Sequence, residues 1–443
     1  MSSLLNIGRS GLSVHSRALQ TVSNNIANAE NPDYVRRNTQ IADQTVTGTT
    51  SPLYKAQTGL SGARVTGYGR SSDAFLEASA RLSGATLVRT ETTTAWMTTV
   101  ETALDNGGSN VGAQMTQFYA RGEELASAPF DNALRVTFLN DIDATIGAFQ
   151  STAANIEFSL GQMRESANTE AAALNQGLTA LGRINTELLG SRPDSQQRAA
   201  LLDQRDGALA AITERLDVDI SFDTNGAARL SFGGQDLVVR GDVATVSLAE
   251  NADRSLTVQV NGTATQTPGN GLLAGLSTAM VQTGESLDNL DALAVQFADN
   301  INSWQAAGRT DAGAAGAPLV GITAGAASLT LLSNDPAALA LASPAGVANG
   351  NILNLSTQRG PGGAEQGWNT IVATHANLLS TARSEQSAAT ALDQTARAAR
   401  DATARVDIDR ETADLIRLQQ AYEASARIIQ VARETMQSIL AIF

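Results

Sequence analysis

Residues 5–29 read LNIGRSGLSVHSRALQTVSNNIANA, and a large aliphatic residue occupies every seventh position. These residues are Leu5, Leu12, Leu19 and Ile26. An apolar repeat of seven sustained for about four heptads is typical of a helix in a coiled coil. The following Asn31-Pro32-Asp33 predicts the end of this helix near residue 29, because the residue before a proline avoids the α-helical region.

The other end of the chain carries a matching repeat. One row of residues seven apart is Leu415, Tyr422, Ile429 and Met436, and a second row is Leu418, Ser425, Ala432 and Ile439. Two terminal helices of similar length, each with an apolar seam, favour pairing with each other as a coiled coil. The spacing alone leaves an alternative open, in which each helix packs against the core of its own domain.

Between the ends, the pattern is helical over residues 72–217 and changes at Asp217. Val218, Ile220 and Phe222 then alternate with polar residues, and Asn225-Gly226 follows, which together predict a β-hairpin. Strand-like runs continue to about residue 262, and helical spacing returns at 287–304 and over 368–443, with a break near 406. The sequence therefore predicts a mainly α fold with an inserted small antiparallel β-domain.

This pattern divides the chain into three predicted domains. A terminal coiled-coil domain is followed by an elongated helical bundle and a β-rich outer domain. Their predicted ranges are 1–35 with 406–443 for the coiled coil, 36–217 with 272–310 and 365–405 for the helical rod, and 218–271 with 311–364 for the β-rich insert.

Composition excludes several classes of function. The 443 residues include 30 basic and 44 acidic side chains, a net charge of −14, so nucleic acid and anionic membranes are poor partners. Cysteine is absent and only two histidines occur, which excludes thiolate chemistry and a three-histidine metal site. No segment has the length of a transmembrane helix, and residues 1–14 lack the basic head and apolar core of a cleaved signal peptide.

The motifs that could carry chemistry are weak. Ser221, Asp223 and Asn225 resemble half of a calcium loop, but a hairpin turn explains the same residues without a metal. Glu123 and Glu124 are adjacent on a helix, so their carboxylates point in different directions. His15 lies within the N-terminal seam, and His375 has no partner nearby in sequence. The sequence predicts no catalytic residue, no cofactor and no metal, and hence a protein that is not an enzyme.

The terminal segments resemble the axial proteins of the bacterial flagellum, the family of rod, hook and hook-associated proteins. The N-terminal signature matches at Asn25, Ile26, Ala27 and Asn28, followed by Pro32 and Tyr34. The usual form ends Thr-Pro-Gly-Tyr, whereas Asn31 and Asp33 replace the threonine and glycine here. The stretch 415–429, with LIRLQQAY and then ARII, is similar to the C-terminal signature of the same family.

Three further segments resemble the hook-associated members at the hook–filament junction. They are YVRR at 34–37, the stretch from Gln117 to Arg135, and LLDQRD at 201–206, which contains Asp203, Arg205 and Asp206. The resemblance covers most of residues 1–235, 271–310 and 365–443 and is weak over 311–364.

The resemblance implies a structural subunit of a ring between hook and filament, located outside the cell. Its implied partners are further copies of itself, the hook protein, a second junction protein, and an export chaperone that covers the C-terminal helix. It also implies export through the flagellar type III channel without a cleaved signal peptide. The heptad residues of both terminal helices would then form the assembly interface.

Two alternatives remain at this stage. The chain could be another axial protein, either of the hook or of the filament-side junction. Less favoured is an extracellular enzyme or adhesin carried on the flagellar frame, which would place its activity in the β-insert. The insert contains no cluster of polar residues that would support such an activity.

Overall fold

The computed structural model describes residues 2–47, 58–104 and 107–440. Its helices are α1 Ser2–Ala27, α2 Ala74–Leu104, α3 Val111–Ser127, α4 Asn132–Gly190, α5 Gln196–Thr213, α6 Leu272–Ala307, α7 Ala364–Ala404 and α8 Ile408–Leu440. Its longer strands are β1 Arg37–Thr47, β2 Thr58–Arg70, β3 Asp219–Phe222, β4 Ala228–Phe232, β5 Gln235–Val239, β7 Val246–Glu250 and β8 Leu256–Val260. Two-residue strands complete the sheets: β6 Asp242–Val243, β9 Thr263–Ala264, β10 Val320–Gly321 and β11 Thr330–Leu331.

The mainly α fold with small antiparallel sheets is confirmed, including the break between α7 and α8 near residue 406. Compactness groups the chain into two units, which cut across the predicted ranges. Unit 1 contains residues 1–85, 173–246 and 390–443, and unit 2 contains 86–172 and 247–389. The predicted division into three domains stays a prediction. Met1 and residues 441–443 of the predicted terminal domain lie outside the described residues.

In unit 1, α1 carries a two-stranded antiparallel ribbon, β1–β2, along one side. The Thr39 hydroxyl donates to that of Thr21 at 2.9 Å, and the Ala63 N–H donates to Ser10 Oγ at 3.2 Å. Gly62 has φ +105° where the ribbon meets Ser10, so only a glycine fits this approach. This ribbon corrects the sequence analysis, which began the helical rod at residue 36. Its strands mix threonine, glutamine and glycine and lack a clean apolar alternation.

The predicted hairpin at Asn225-Gly226 is also present in unit 1 and begins a four-stranded sheet of order β3-β4-β5-β6. The Asp223 carboxylate accepts the N–H groups of Asn225 and Ala227 at 2.8 and 2.9 Å, so the residues that resembled a calcium loop form the turn itself. Asn185 on α4, fully buried, pairs with both backbone groups of Ala228 at 2.8 and 2.9 Å. One amide side chain thereby joins the sheet to the helix.

The core of unit 2 is aromatic, although aromatic residues make up only 4% of the chain. Phe118 packs between Phe138 and Phe297 with ring centroids 5.1 and 6.0 Å away, and Phe149 and Trp304 extend the cluster. These rings come from α3, α4 and α6. The scarce aromatic residues are thus concentrated where three helices meet.

Amide side chains at the end of α6 also organise residues 308–352. Gln305 bonds Ala338 and Ala340, and Asn351 Nδ2 donates to Trp304 O and Ala340 O. In this segment only β10 and β11 are strands, two short 3₁₀ turns lie at 326–328 and 336–338, and most other residues have no regular structure. The predicted β-rich character of 311–364 is therefore corrected to an irregular segment held by side-chain hydrogen bonds. None of the described helices is long and apolar enough to cross a bilayer.

The buried amide of Asn185 gives a direct stability test. Asn185→Ala leaves the N–H and C=O of Ala228 unpaired in the interior, and each such group costs about 1–3 kcal/mol. We expect the free energy of unfolding to fall by about 2–5 kcal/mol in urea denaturation. Gln176→Ala, an exposed site on the same helix, serves as the control and should change it by less than about 0.5 kcal/mol.

Candidate functional site

The terminal helices α1 and α8 pair along their length, and small residues form the contact. A Cβ on Gly8 would lie 2.7 Å from Ile429 Cγ1, and one on Gly11 would lie 2.8 Å from Ser425 Oγ. Ala18 and Ala432 are buried at 6% and 4% exposure. The pairing of Gly8 with Ile429 and of Gly11 with Ser425 makes the two helices antiparallel. Because Gly8 and Gly11 have no side chains, Ile429 and Ser425 of α8 can pack directly against the backbone of α1.

The predicted heptad rows flank this contact. Half-buried members are Leu5, Leu12, Leu19, Ile26, Leu415, Leu418 and Ile429, and exposed members are Tyr422, Met436 and Ile439. At about 100° per residue, the α1 row lies on the side of the helix away from the residues that contact the β1–β2 ribbon, such as Ser10 and Thr21. Large apolar side chains therefore border an open face of the pair.

A buried polar cluster fixes the register of the pair. Asn25, fully buried, donates to Glu411 Oε2 at 2.9 Å and to the carbonyl of Arg37 at 2.8 Å. Its Oδ1 accepts the Tyr34 hydroxyl at 2.8 Å and the N–H of Arg37 at 3.1 Å. All four hydrogen bonds of the amide are thus used, which ties the end of α1 to the start of β1 and to α8.

Glu411 supplies the charge of this cluster and is also fully buried. Besides Asn25, it accepts a hydrogen bond from Arg36 Nε at 2.6 Å. A carboxylate is stable in such a place only with charged and polar partners of this kind. Burial raises the pKa of Tyr34, so the phenol keeps the proton that it donates to Asn25.

A chain of ion pairs continues from this cluster to α5. Arg37 donates to Asp203 at 2.7 Å, and Arg70 bridges Asp203 and Asp206 at 2.8 Å each. Burial raises the pKa of the Asp203 carboxyl, and the two arginines oppose that shift. Arg205 pairs with Asp206 at 2.6 Å, donates to the carbonyl of Gly226 and lies 4.4 Å above the ring of Phe222. Arg37 is the first residue of β1 and Arg70 is the last of β2. The ion pairs with α5 therefore hold both strands at the same end of the ribbon.

This network brings together five of the family-signature residues: Asn25, Tyr34, Asp203, Arg205 and Asp206. The others lie around it. Ile26 and Asn28 are half-buried, and Asn28 donates to the carbonyl of Asn24 at 2.8 Å at the end of α1. Ala27 and Pro32 are exposed. Among the described residues, no three histidine, aspartate or glutamate side chains are grouped to hold a metal ion.

Sequence reasoning missed Glu411, Arg36 and Arg70 as members of this network. A signal for Glu411 exists, because extending the second C-terminal row back by seven from Leu418 reaches it. A lone acid in an apolar heptad row indicates a buried partner. Arg70 has no such signal, because it lies on a ribbon that the sequence pattern does not reveal.

The two histidines belong to different units. His15 is half-buried in the α1–α8 region, and His375 is buried in unit 2. The His375 Nε2 lies 2.9 Å from the carbonyl of Met97, while its Nδ1 has no hydrogen-bond partner among the described residues. Burial lowers the pKa of His375, with the Met97 hydrogen bond and the Glu101 charge acting against it.

Profiles of known protein families match the terminal and central segments of the chain. The profile of the flagellar hook-associated protein FlgK helical domain matches residues 97–320. The profile of the flagella basal body rod protein matches 5–32, and that of the flagellar basal body rod FlgEFG protein C-terminal region matches 403–442.

Individual relatives carry the same description. Flagellar hook-associated protein 1 of Escherichia coli K12 is 27% identical over 341 residues, 71% of this chain and 59% of that protein. Its counterpart in Bacillus subtilis is 22% identical over 51% of this chain and 45% of that protein. The chain thus spans less than two thirds of the length of these relatives. The solved structure of the flagellar hook junction protein FlgK from Burkholderia pseudomallei shares the fold, with a TM-score of 0.50 and 18% identity over 55% of this chain and 46% of that one.

Removing the buried acid tests the terminal cluster. Glu411→Ala leaves Arg36 and the Asn25 amide without their partner, and breaking a buried pair in this way costs about 3–5 kcal/mol. We expect that loss in the free energy of unfolding, measured in urea by far-ultraviolet circular dichroism of the full chain. Glu423→Ala, an exposed site on the same helix, should stay within about 0.5 kcal/mol of the parent.

His375 predicts a pH dependence of stability. Because its pKa is lower in the folded chain than the ordinary 6.5, the folded state binds fewer protons than the unfolded state. Its contribution is complete above that value and is lost as pH falls below it. We expect the melting temperature of His375→Gln to depend less on pH between 7.5 and 5 than that of the parent chain. Equal slopes for the two proteins would contradict this account.

Proposed function

The chain belongs to the family of flagellar hook-associated proteins, and from this membership we propose that it is a structural subunit of the junction between hook and filament. Copies of the chain form a ring on the hook, and the filament is built on the far side of that ring. The family profile that covers residues 97–320 and the paired terminal helices support this role.

Different residues of the α1–α8 pair hold the helices together and form its open edge, and this observation supports the proposal most directly. The glycines of α1, packed against Ile429 and Ser425, and the Asn25–Glu411 cluster hold the two helices together, so Leu12, Leu19, Tyr422 and Met436 are left at the edge of that contact. Leu12 and Leu19 are only half-buried, and Tyr422 and Met436 are 40% and 38% exposed. Large apolar residues beside a closed contact are suited to packing against a neighbouring subunit.

The proposed partners follow from the junction role. They are further copies of the chain, the hook protein on one side and the second junction protein on the other. A dedicated export chaperone covers α8 before assembly, because Ile416, Ile428 and Val431, at 51%, 41% and 61% exposure, would otherwise leave it prone to premature association. The chain is exported through the flagellar type III channel and acts outside the cell.

The role is structural rather than catalytic. The most closely linked polar groups, from Glu411 to Arg205, bond to one another and connect α8, α1, the ribbon and α5. Their hydrogen-bonding capacity is largely spent on the protein itself. Because these charged groups pair with one another, they support a structural role, and few of them remain to bind or activate a substrate.

A charge at the apolar rim tests the proposal. Leu19→Asp places a carboxylate on a half-buried site, where the free chain can still hydrate it but a packed neighbour cannot. We expect loss of swimming in a strain that lacks the parent gene, with unchanged circular dichroism of the purified chain. Leu12→Asp should behave in the same way.

Arg17 provides the matched control, because it is an exposed residue of the same helix. Arg17→Asp should swim normally. Two results would reject the proposed interface: normal swimming by both leucine variants, or unfolding of the isolated chain by either one.

A further inference from the structure

A second apolar surface of unit 1 lies on α2 and α7, which run antiparallel there. Ser83 Oγ donates to Asp393 at 3.2 Å. Glu77, which precedes Ser83, lies near enough to interact electrostatically with Arg400, which follows Asp393. Leu82 directly precedes Ser83, and Leu392 directly precedes Asp393. In an antiparallel pair this offset directs both side chains to the same side.

This surface, the α2–α7 face, carries large exposed apolar side chains. Phe75 is 77% exposed, Leu82 is 65% exposed and Leu392 is 63% exposed. Phe75 precedes Leu82 by one heptad and so shares its row. Within unit 1, the exposed positions beside them along the two rows are small and uncharged: Ala78, Thr395, Ala399 and Ala402. Phe75, Leu82 and Leu392 therefore project from a surface of small, uncharged residues.

A shallow groove lies in the same unit. It has a volume of about 540 Å³ and runs along the open side of the α1–α8 pair. Its apolar walls are Leu19 and Tyr422, and its rim is polar but uncharged, formed by Ser16, Gln20, Ser23 and Asn24. The shallow groove and the part of the α2–α7 face in unit 1 are thus complementary in character, because apolar side chains project from the one and line the other, and both have uncharged surroundings.

The distribution of charge indicates what covers them. Unit 1 contains 22 basic and 23 acidic residues, whereas unit 2 contains 8 and 21. Nearly all of the net charge of −14 therefore resides in unit 2. Copies of this chain can pack densely through unit 1 without a large repulsion, and dense packing through unit 2 would oppose like charges.

We infer that the α2–α7 face of one copy packs into the α1–α8 groove of the next, with Phe75 and Leu82 against Leu19 and Tyr422. The inference rests on the proposed self-assembly and names its contact. Because the two surfaces differ, the contact is head-to-tail, and repeated head-to-tail contacts generate a ring or a helix rather than a closed pair.

The absence of cysteine permits a clean cross-linking test. Ala78→Cys places a thiol on the face without removing its large residues, and Ser23→Cys places one on the groove rim. The two full-length variants are produced together in one strain, and its isolated hooks are oxidised. We expect a cross-linked dimer that requires both variants. The pair Ala133→Cys with Ser23→Cys, which puts the first thiol on an exposed site of unit 2, is the control and should give none.

Other outcomes would overturn the inference. A dimer formed by Ala78→Cys alone would mean that two faces meet each other. Hooks that carry the protein but yield no cross-link would mean that another protein covers the face. Both results leave the proposed junction role intact, whereas normal filaments in a strain without the gene would reject that role itself.

A matched pair of substitutions gives an independent readout. Phe75→Ser and Phe158→Ser each remove an exposed phenylalanine, from unit 1 and unit 2 respectively, at 77% and 68% exposure. We expect Phe75→Ser to reduce the number of filaments per cell at least tenfold and Phe158→Ser to leave it unchanged. Equal filament numbers in the two strains would contradict the proposed contact.

Discussion

The hydrogen bond between Asn25 and Glu411 joins residues from opposite ends of the chain, and unit 1 depends on it. Two fully buried polar side chains in an otherwise small and apolar contact allow only one register, because any slip would leave a charge unpaired. The same asparagine holds Tyr34 and the backbone of Arg37, which begins the ribbon. The register of the helix pair therefore also sets where the ribbon starts, and through Arg37 and Asp203 where α5 lies.

For the proposed junction subunit, this arrangement would separate folding from assembly. The glycines of α1, packed against Ile429 and Ser425, and one polar cluster close the α1–α8 contact, so the large residues Leu12, Leu19 and Tyr422 remain at its edge. A pair closed by its leucines would bury them and offer little to a neighbour. The near-neutral charge of unit 1 and the acidic character of unit 2 point the same way, since only the former suits close packing of identical copies.

Periodic features of the fold could be predicted from the sequence, and features set by tertiary contacts could not. The heptads predicted α1 and α8, and Asn225-Gly226 predicted a hairpin, because each is a local pattern with a fixed geometry. The β1–β2 ribbon has mixed polar strands and exists because α1 supports it. Residues 308–352 depend on Gln305 and Asn351, whose bonding partners lie up to 47 residues away. Within the site, the signature residues could be identified by resemblance to the family. The network that joins them depends on tertiary contacts that no local sequence pattern predicts.

The junction role is tested most directly by deleting the gene in the source bacterium and imaging the hooks by electron microscopy. The account predicts hooks of normal length that carry no filament, with flagellin released into the medium, and recovery of filaments when the gene is restored. Filaments of normal number on the hooks of the deletion strain would contradict it.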